Sequence, residues 1–141
     1  MVADVDVLGP AHKETALPKT EEEAIAFVNS LKLKPSIIVR SGNGVHAIWP
    51  LNEPFIIHNE REQIRELSAG FGMYVIAEGR KKGWKLDNVQ DVPRMFRAPG
   101  SLNFKSNPPK RCEVYSAEEF RYPVTAFKEF KRITEIVEFH A

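Results

Sequence analysis

Residues 35–50 read PSIIVRSGNGVHAIWP. Two short runs, 36–40 and 45–49, are rich in β-branched and apolar side chains, and the residues between them include Gly42, Asn43 and Gly44. Runs of that kind joined by a glycine-containing turn predict a β-hairpin. Pro50 and Pro54 close it, because proline has no N–H to give to a strand ladder. The turn is also a candidate site: residues without bulky side chains let an anion come close to backbone N–H groups. Ser41 and His46 flank it. A lone histidine in an apolar strand more often packs in a core, but beside this turn His46 becomes a candidate contact for phosphate or nucleotide.

Upstream, residues 2–8 alternate apolar and acidic side chains, the period-2 pattern of a strand with one polar face. Gly9 and Pro10 end it. Thr20 followed by Glu23 is a capping box, and Ala24, Phe27, Val28 and Leu31 then recur at helical spacing, which predicts a first helix covering a sheet. Downstream of the hairpin, Asn59 with Glu62 marks a second helix start, with Ile64, Leu67 and Phe71 as its apolar stripe. A short helical turn is expected over 92–97, stopped by Pro99 and Gly100. A late strand follows at 113–115 and a C-terminal helix at 124–139. The order strand, helix, hairpin, helix, basic loop, strand, helix gives the α+β class: an antiparallel or mixed sheet with helices largely on one face.

At 141 residues the chain suits one domain, 1–141, able to bury about 68–70% of its unfolded surface. No apolar run approaches the roughly 20 residues that span a bilayer, so no membrane partner is expected. The first ten residues, MVADVDVLGP, contain early acids and no basic region, unlike a signal peptide. A cytoplasmic location is the expectation. Cys112 stands alone, which excludes an internal disulfide and a cysteine-based zinc cluster and leaves it a packing or surface residue.

The net charge of +1 conceals a division along the chain. Residues 80–111 carry nine Lys and Arg (Arg80, Lys81, Lys82, Lys85, Arg94, Arg97, Lys105, Lys110, Arg111) against Asp87 and Asp91, a net of +7. Residues 1–79 are net −4 and residues 112–141 net −2. A basic segment so concentrated is the footprint of a phosphate-bearing partner, although a solvated loop has the same composition.

Three constellations could build a site. Asp4 and Asp6 lie two apart on a strand and therefore project from one face, where two carboxylates can close on hard cations. Alone, that pattern equally describes an edge strand blunted by charge. SGNGVH is the second. The third runs from Asp87 to Lys105: Arg94 and Arg97, three apart, share one side of a helical turn, and Lys105 follows a tight turn. Asp87 or Asp91 could complete a metal site or simply cap the short helix.

In that order, DVD, SGNGVH and D…RMFRAPGSLNFK resemble motifs I, II and III of the archaeo-eukaryotic primase superfamily, in the form found in phage and plasmid primase-polymerases. The likeness extends to ADVDVLGPAHK, PSIIVRSGNGVHAIWPLNEP and LDNVQDVPRMFRAPGSLNFK, most of residues 3–105. It implies a compact catalytic core with an RRM-like sheet and flanking helices. It also implies Mg²⁺ or Mn²⁺ in a two-metal site and template-directed nucleotidyl transfer from nucleoside triphosphates on single-stranded DNA, in phage, plasmid or mobile-element replication. By the resemblance, Asp4, Asp6 and Asp87 are the catalytic and metal-binding acids, with Asp91 as the rival third ligand. Ser41, Gly42, Gly44, His46, Arg94, Arg97 and Lys105 would hold the nucleotide. Arg80, Lys81, Lys82, Lys85, Asn103, Lys110 and Arg111 would follow the nucleic acid.

Two departures from the family pattern stand out. Asp4 follows only three residues where the family has a substantial portion before motif I, so the expectation is a compact variant, a piece of a larger replication protein or a binding remnant. RAPGS replaces an aliphatic residue and threonine. No GxxxxGK[ST] occurs, which assigns unwinding to a helicase on another chain or in a lost region. The competing class is a catalytically silent module that binds single-stranded nucleic acid or nucleotide. A replication-initiator nuclease would need paired histidines where Ala47 and Ile48 follow His46. A metal-dependent phosphodiesterase would use the same acids.

Overall fold

The computed structural model describes residues 1–9, 14–52, 57–86, 102–103 and 108–130, with the backbone alone described at 57–61 and 102–103. Its elements are β1 (Val2–Asp6), α1 (Glu21–Asn29), β2 (Ile37–Arg40), β3 (Gly44–Ile48), α2 (Ile57–Lys81), β4 (Leu102–Asn103), β5 (Lys110–Arg111), β6 (Glu113–Ala117) and a 3₁₀ helix, Val124–Phe130. The protein is α+β. A four-stranded antiparallel sheet in the order β1-β3-β2-β6 forms its centre, and β4 and β5 pair as a separate ribbon.

The hairpin forms as its sequence requires. β2 and β3 pair from Ile37↔Ile48 to Arg40↔Val45, and Ser41 N–H donates to the Gly44 carbonyl at 3.0 Å to close the tip. Gly42 takes φ 96°, a conformation that side chains with a Cβ rarely adopt. Gly44 has a different reason: a Cβ there would lie 2.6 Å from the Val5 carbonyl oxygen. Its absence lets β1 close on β3, with Asp6 opposite Gly44 and Val7 N–H donating to the Asn43 carbonyl at 3.1 Å. β1 and β2 are each antiparallel to β3. They are therefore parallel to one another, and β1-α1-β2 is a β-α-β unit split by an inserted strand.

The helices cover one face. Thr20 caps α1, its hydroxyl accepting from Glu23 N–H at 3.2 Å, while the Glu23 carboxylate accepts from Lys19 N–H at 2.7 Å. This is the predicted capping box, with its return bond made one residue earlier than usual. Ala24, Ile25, Phe27 and Val28 of α1 and Phe71, Tyr74, Val75 and Ile76 of α2 pack with Ala3, Val5, Ile38, Val45, Ala47 and Trp49. Trp49 donates from Nε1 to the Leu33 carbonyl at 2.8 Å and sets its ring edge-on to Phe71 at 4.8 Å. Arg40 lies on this same side, paired with Glu21 and Glu22 of α1 at 3.2 and 3.3 Å.

Two expectations change, and one element was not expected. α2 is continuous from Ile57, so Asn59 lies inside the helix and not at its cap; an interior Asn costs only part of a kcal/mol, which tertiary context overrides. Where a C-terminal helix is expected, a 3₁₀ helix spans Val124–Phe130, and residues 131–141 lie outside the described residues. Three residues per turn eclipse side chains at i and i+3, which brings Phe127 and Phe130 onto one side, each fully buried and 5.2 Å from Phe71. The ribbon of β4 and β5 was not legible at all. The short helix expected at 92–97 lies outside the described residues. No described helix is long and apolar enough to cross a membrane.

Candidate active site

A strand exposes alternate residues on opposite faces. Ala3 and Val5 enter the core, so Asp4 and Asp6 share the face away from the helices. The ladder then fixes their neighbours. Asp4 lies directly opposite His46, His46 opposite Val39, and Val39 opposite Val114, one row across all four strands. Along it His46 Nε2 comes within 3.4 Å of Asp4 Oδ1, with side-chain exposures of 9% and 20%. Asp6 and Gly44 form the adjacent pair toward the turn.

The turn itself is unusual. Hairpin tips ordinarily run over the surface, yet every residue from 41 to 47 is buried. Ser41 and Asn43 are among the few buried polar residues, with His46, Ser36 and Ser68. The structure thus brings together Asp4, Asp6, Ser41, Gly42, Gly44 and His46 at one corner of the sheet. Val39, buried on the other flank of His46 and separate from the helix-side core, is a neighbour that sequence reading did not single out. Its side of the hairpin follows only from the packing of Arg40 toward α1, which turns Val39 the other way.

The remaining expected residues divide into two groups. Asp87, Asp91, Arg94, Arg97 and Lys105 lie outside the described residues. The chain leading to them is anchored, however: Leu86 is buried in the core against Gly79, where a Cβ would meet the leucine at 2.6 Å. Lys85 N–H donates to the Ala16 carbonyl at 2.7 Å, and Leu8 N–H to the Pro18 carbonyl at 2.7 Å. Through Lys85, two residues before Asp87, the chain is therefore tied to the segment that leaves β1.

The basic residues belong elsewhere. Arg80 and Lys81 end α2, Lys82 and Lys85 follow it in the helical layer, and all four are exposed. Lys81 pairs with Glu78 at 2.9 Å, a hydrogen bond that raises its pKa, and Lys85 with Glu14 at 3.8 Å. Lys82 sits over the Trp84 ring at 5.8 Å, a cation–π contact. Lys110 and Arg111 are exposed on β5, paired through the backbone with Asn103 and Leu102. Cys112, fully buried between β5 and β6, is a packing residue.

Carboxylates are the hard oxygen donors that Mg²⁺ and Mn²⁺ take. Asp4 and Asp6 on one face fit part of such a donor set. Among the described residues no group of three His, Cys, Asp or Glu is assembled for a metal, and the third expected acid, Asp87 or Asp91, is outside them. No protein-family model, no curated protein and no solved structure matches the chain. The structure defines an α+β protein built on a four-stranded antiparallel sheet, with an Asp–His pair beside a buried glycine turn.

Proposed function

We propose that this chain is the catalytic core of a primase-polymerase, a nucleotidyltransferase that copies single-stranded DNA from nucleoside triphosphates. The observation that carries the reading is the register Asp4↔His46. Residues 42 positions apart in sequence, assigned by resemblance to two separate motifs, are cross-strand neighbours on one face. The split β1-α1-β2 unit with β3 between its strands supports an RRM-like core, and β6 adds to it at the outer edge of β2.

In this reading Asp4 and Asp6, with Asp87 or its rival Asp91, hold divalent Mg²⁺ or Mn²⁺. Bound there, such ions would lower the pKa of the attacking 3′-hydroxyl and neutralise the departing pyrophosphate. The chain's own groups do the positioning. His46 meets the triphosphate, and Ser41, Gly42 and Gly44 let its oxygens approach the backbone. Arg94, Arg97 and Lys105 offset its charge. The hydroxyl oxygen, its proton passing to solvent, bonds to the α-phosphorus while the bond to the pyrophosphate oxygen breaks and pyrophosphate leaves. The template is held by positive charge from residues 80–111, and a helicase on another polypeptide supplies unwound strand.

The deciding experiment incubates the protein with single-stranded templates, labelled ribo- or deoxynucleotides and Mg²⁺ or Mn²⁺, with and without primer. Template-dependent products are expected from the wild type and none from Asp4→Ala or Asp6→Ala that retain their circular dichroism. If Asp91→Ala is inactive while Asp87→Ala is active, Asp91 is the third ligand. Binding of DNA and nucleotide with no product under any condition would make the chain a silent binding module.

A further inference from the structure

At the other end of the row from Asp4 lies β6, the edge of the sheet, whose described strand neighbour is β2 alone. An edge strand presents unpaired backbone N–H and C=O groups, and proteins commonly blunt it with charge or a bulge. β6 carries a bulge: Ile38 faces Ser116 while Val39 faces Val114, leaving Tyr115 as the extra residue. Its apolar side chains nonetheless point to solvent, Val114 at 50% and Tyr115 at 52% exposure. With Leu8 they are the exposed large hydrophobic residues of the described chain.

The charges around them are ordered. Lys110 and Arg111 precede the strand, Glu118 and Glu119 follow it, and all four are exposed. Lys110, Arg111 and Glu119 form no ion pair with another described residue, and Glu118 reaches only Lys34, at 3.6 Å. Turned end for end, the segment 110–119 complements itself. With two copies antiparallel about Tyr115, Arg111 of each faces Glu119 of the other, twice by symmetry. A parallel alignment would set like charges opposite one another, which is unfavourable. A cleft of about 580 Å³ lined by Ile37, Pro50, Glu118, Glu119, Phe120 and Arg121 adjoins the acidic end.

We infer that β6 is the contact strand of a homodimer, in which two copies of this chain pair antiparallel across a twofold axis through Tyr115 and continue the sheet. The self-complementary charges set the register, Val114 and Tyr115 supply the apolar centre, and the twofold operator closes the assembly so that it does not grow into a fibre. The contact is independent of any reading of the Asp–His corner. It is small, which predicts a dimer that dissociates on dilution.

Sedimentation velocity over a wide concentration range, without nucleic acid, tests this. The wild type should pass from monomer to dimer, less readily as salt screens the end charges. Arg111→Glu and Glu119→Arg should each weaken the dimer about tenfold or more, since each disrupts two symmetric pairs. The double variant should return to near wild-type affinity. Both substitutions lie at exposed positions, and circular dichroism verifies the folds of all three variants. A wild type that stays monomeric at every concentration, or a double variant no better than its parents, overturns the proposal. So does a monomeric protein in which Tyr115→Ala weakens binding of single-stranded DNA, because β6 would then be a nucleic-acid surface.

Discussion

Gly42 and Gly44 occupy one turn for different physical reasons, and substitution separates them. Gly42→Ala forces a Cβ into a backbone with φ 96°, which costs about 1–2 kcal/mol. Gly42→Asn should recover part of that, because Asn tolerates positive φ. Gly44→Ala puts a methyl group 2.6 Å from the Val5 carbonyl oxygen, so β1 must move, at roughly 1–3 kcal/mol, and Gly44→Asn should be worse. Urea denaturation of the four variants checks the contrast; equal responses would leave it without support. His46, only 9% exposed in its side chain, should contribute to both stability and ligand binding. His46→Ala should lower stability by about 1–3 kcal/mol and also shrink the melting-temperature shift produced by nucleoside triphosphate with Mn²⁺. At the start of β1 the Met1 amine donates to the Trp49 carbonyl at 2.9 Å, and burial lowers its pKa from 8.0 to about 6. The unfolded chain then binds the extra proton between those values, so stability is full above pH 8 and falls as pH drops toward 6. The loss is bounded at about 2–3 kcal/mol for two pKa units. Denaturation midpoints at pH 8 and 6, with and without N-terminal acetylation, read it directly, and the acetylated chain should lack this step.

Among the elements, the 3₁₀ helix carries more of the core than its length suggests. Phe127 and Phe130 flank Phe71, and Phe130 lies tilted against Tyr74 with ring centroids 4.5 Å apart. Phe127→Ala and Phe130→Ala should each cost about 3–5 kcal/mol, measured by chemical denaturation, whereas exposed Lys128→Ala should change little. The α1 cap is a smaller effect. Thr20→Ala removes one acceptor from Glu23 N–H and should cost about 1 kcal/mol. β1, the hairpin strands β2 and β3, and α1 could be placed from sequence because hairpin, period-2 alternation and capping box are local signals, whereas the β4–β5 ribbon gave none. The start of α2 was missed by the cap signal at Asn59, since one polar residue does not stop a helix whose apolar face is held by Phe71, Tyr74 and Val75. At the C-terminus the i, i+3 spacing of Phe127 and Phe130 fits a helix of either pitch, and packing on α2 selects the tighter one.

At the scale of the whole molecule, the basic segment is less uniform than its composition. Lys81 and Lys85 already have carboxylate partners in Glu78 and Glu14, whereas Lys110 and Arg111 have none among the described residues. If single-stranded DNA binds here, each phosphate neutralised adds about −0.7 to the slope of log K against log salt. Replacing Lys110 and Arg111 together should flatten that slope more than replacing Lys81 and Lys85, as fluorescence anisotropy at several salt concentrations would show; a salt-insensitive affinity would remove the nucleic-acid reading of this segment. By itself the sequence determined the α+β class, the hairpin, the capped first helix and the shared face of Asp4 and Asp6, because each follows from spacing within a few residues. Only the tertiary structure decided which strand lies beside which. Strand order depends on contacts between segments far apart in the chain, and these set Asp4 against His46, turned Arg40 toward α1, buried the glycine turn and left β6 at the edge.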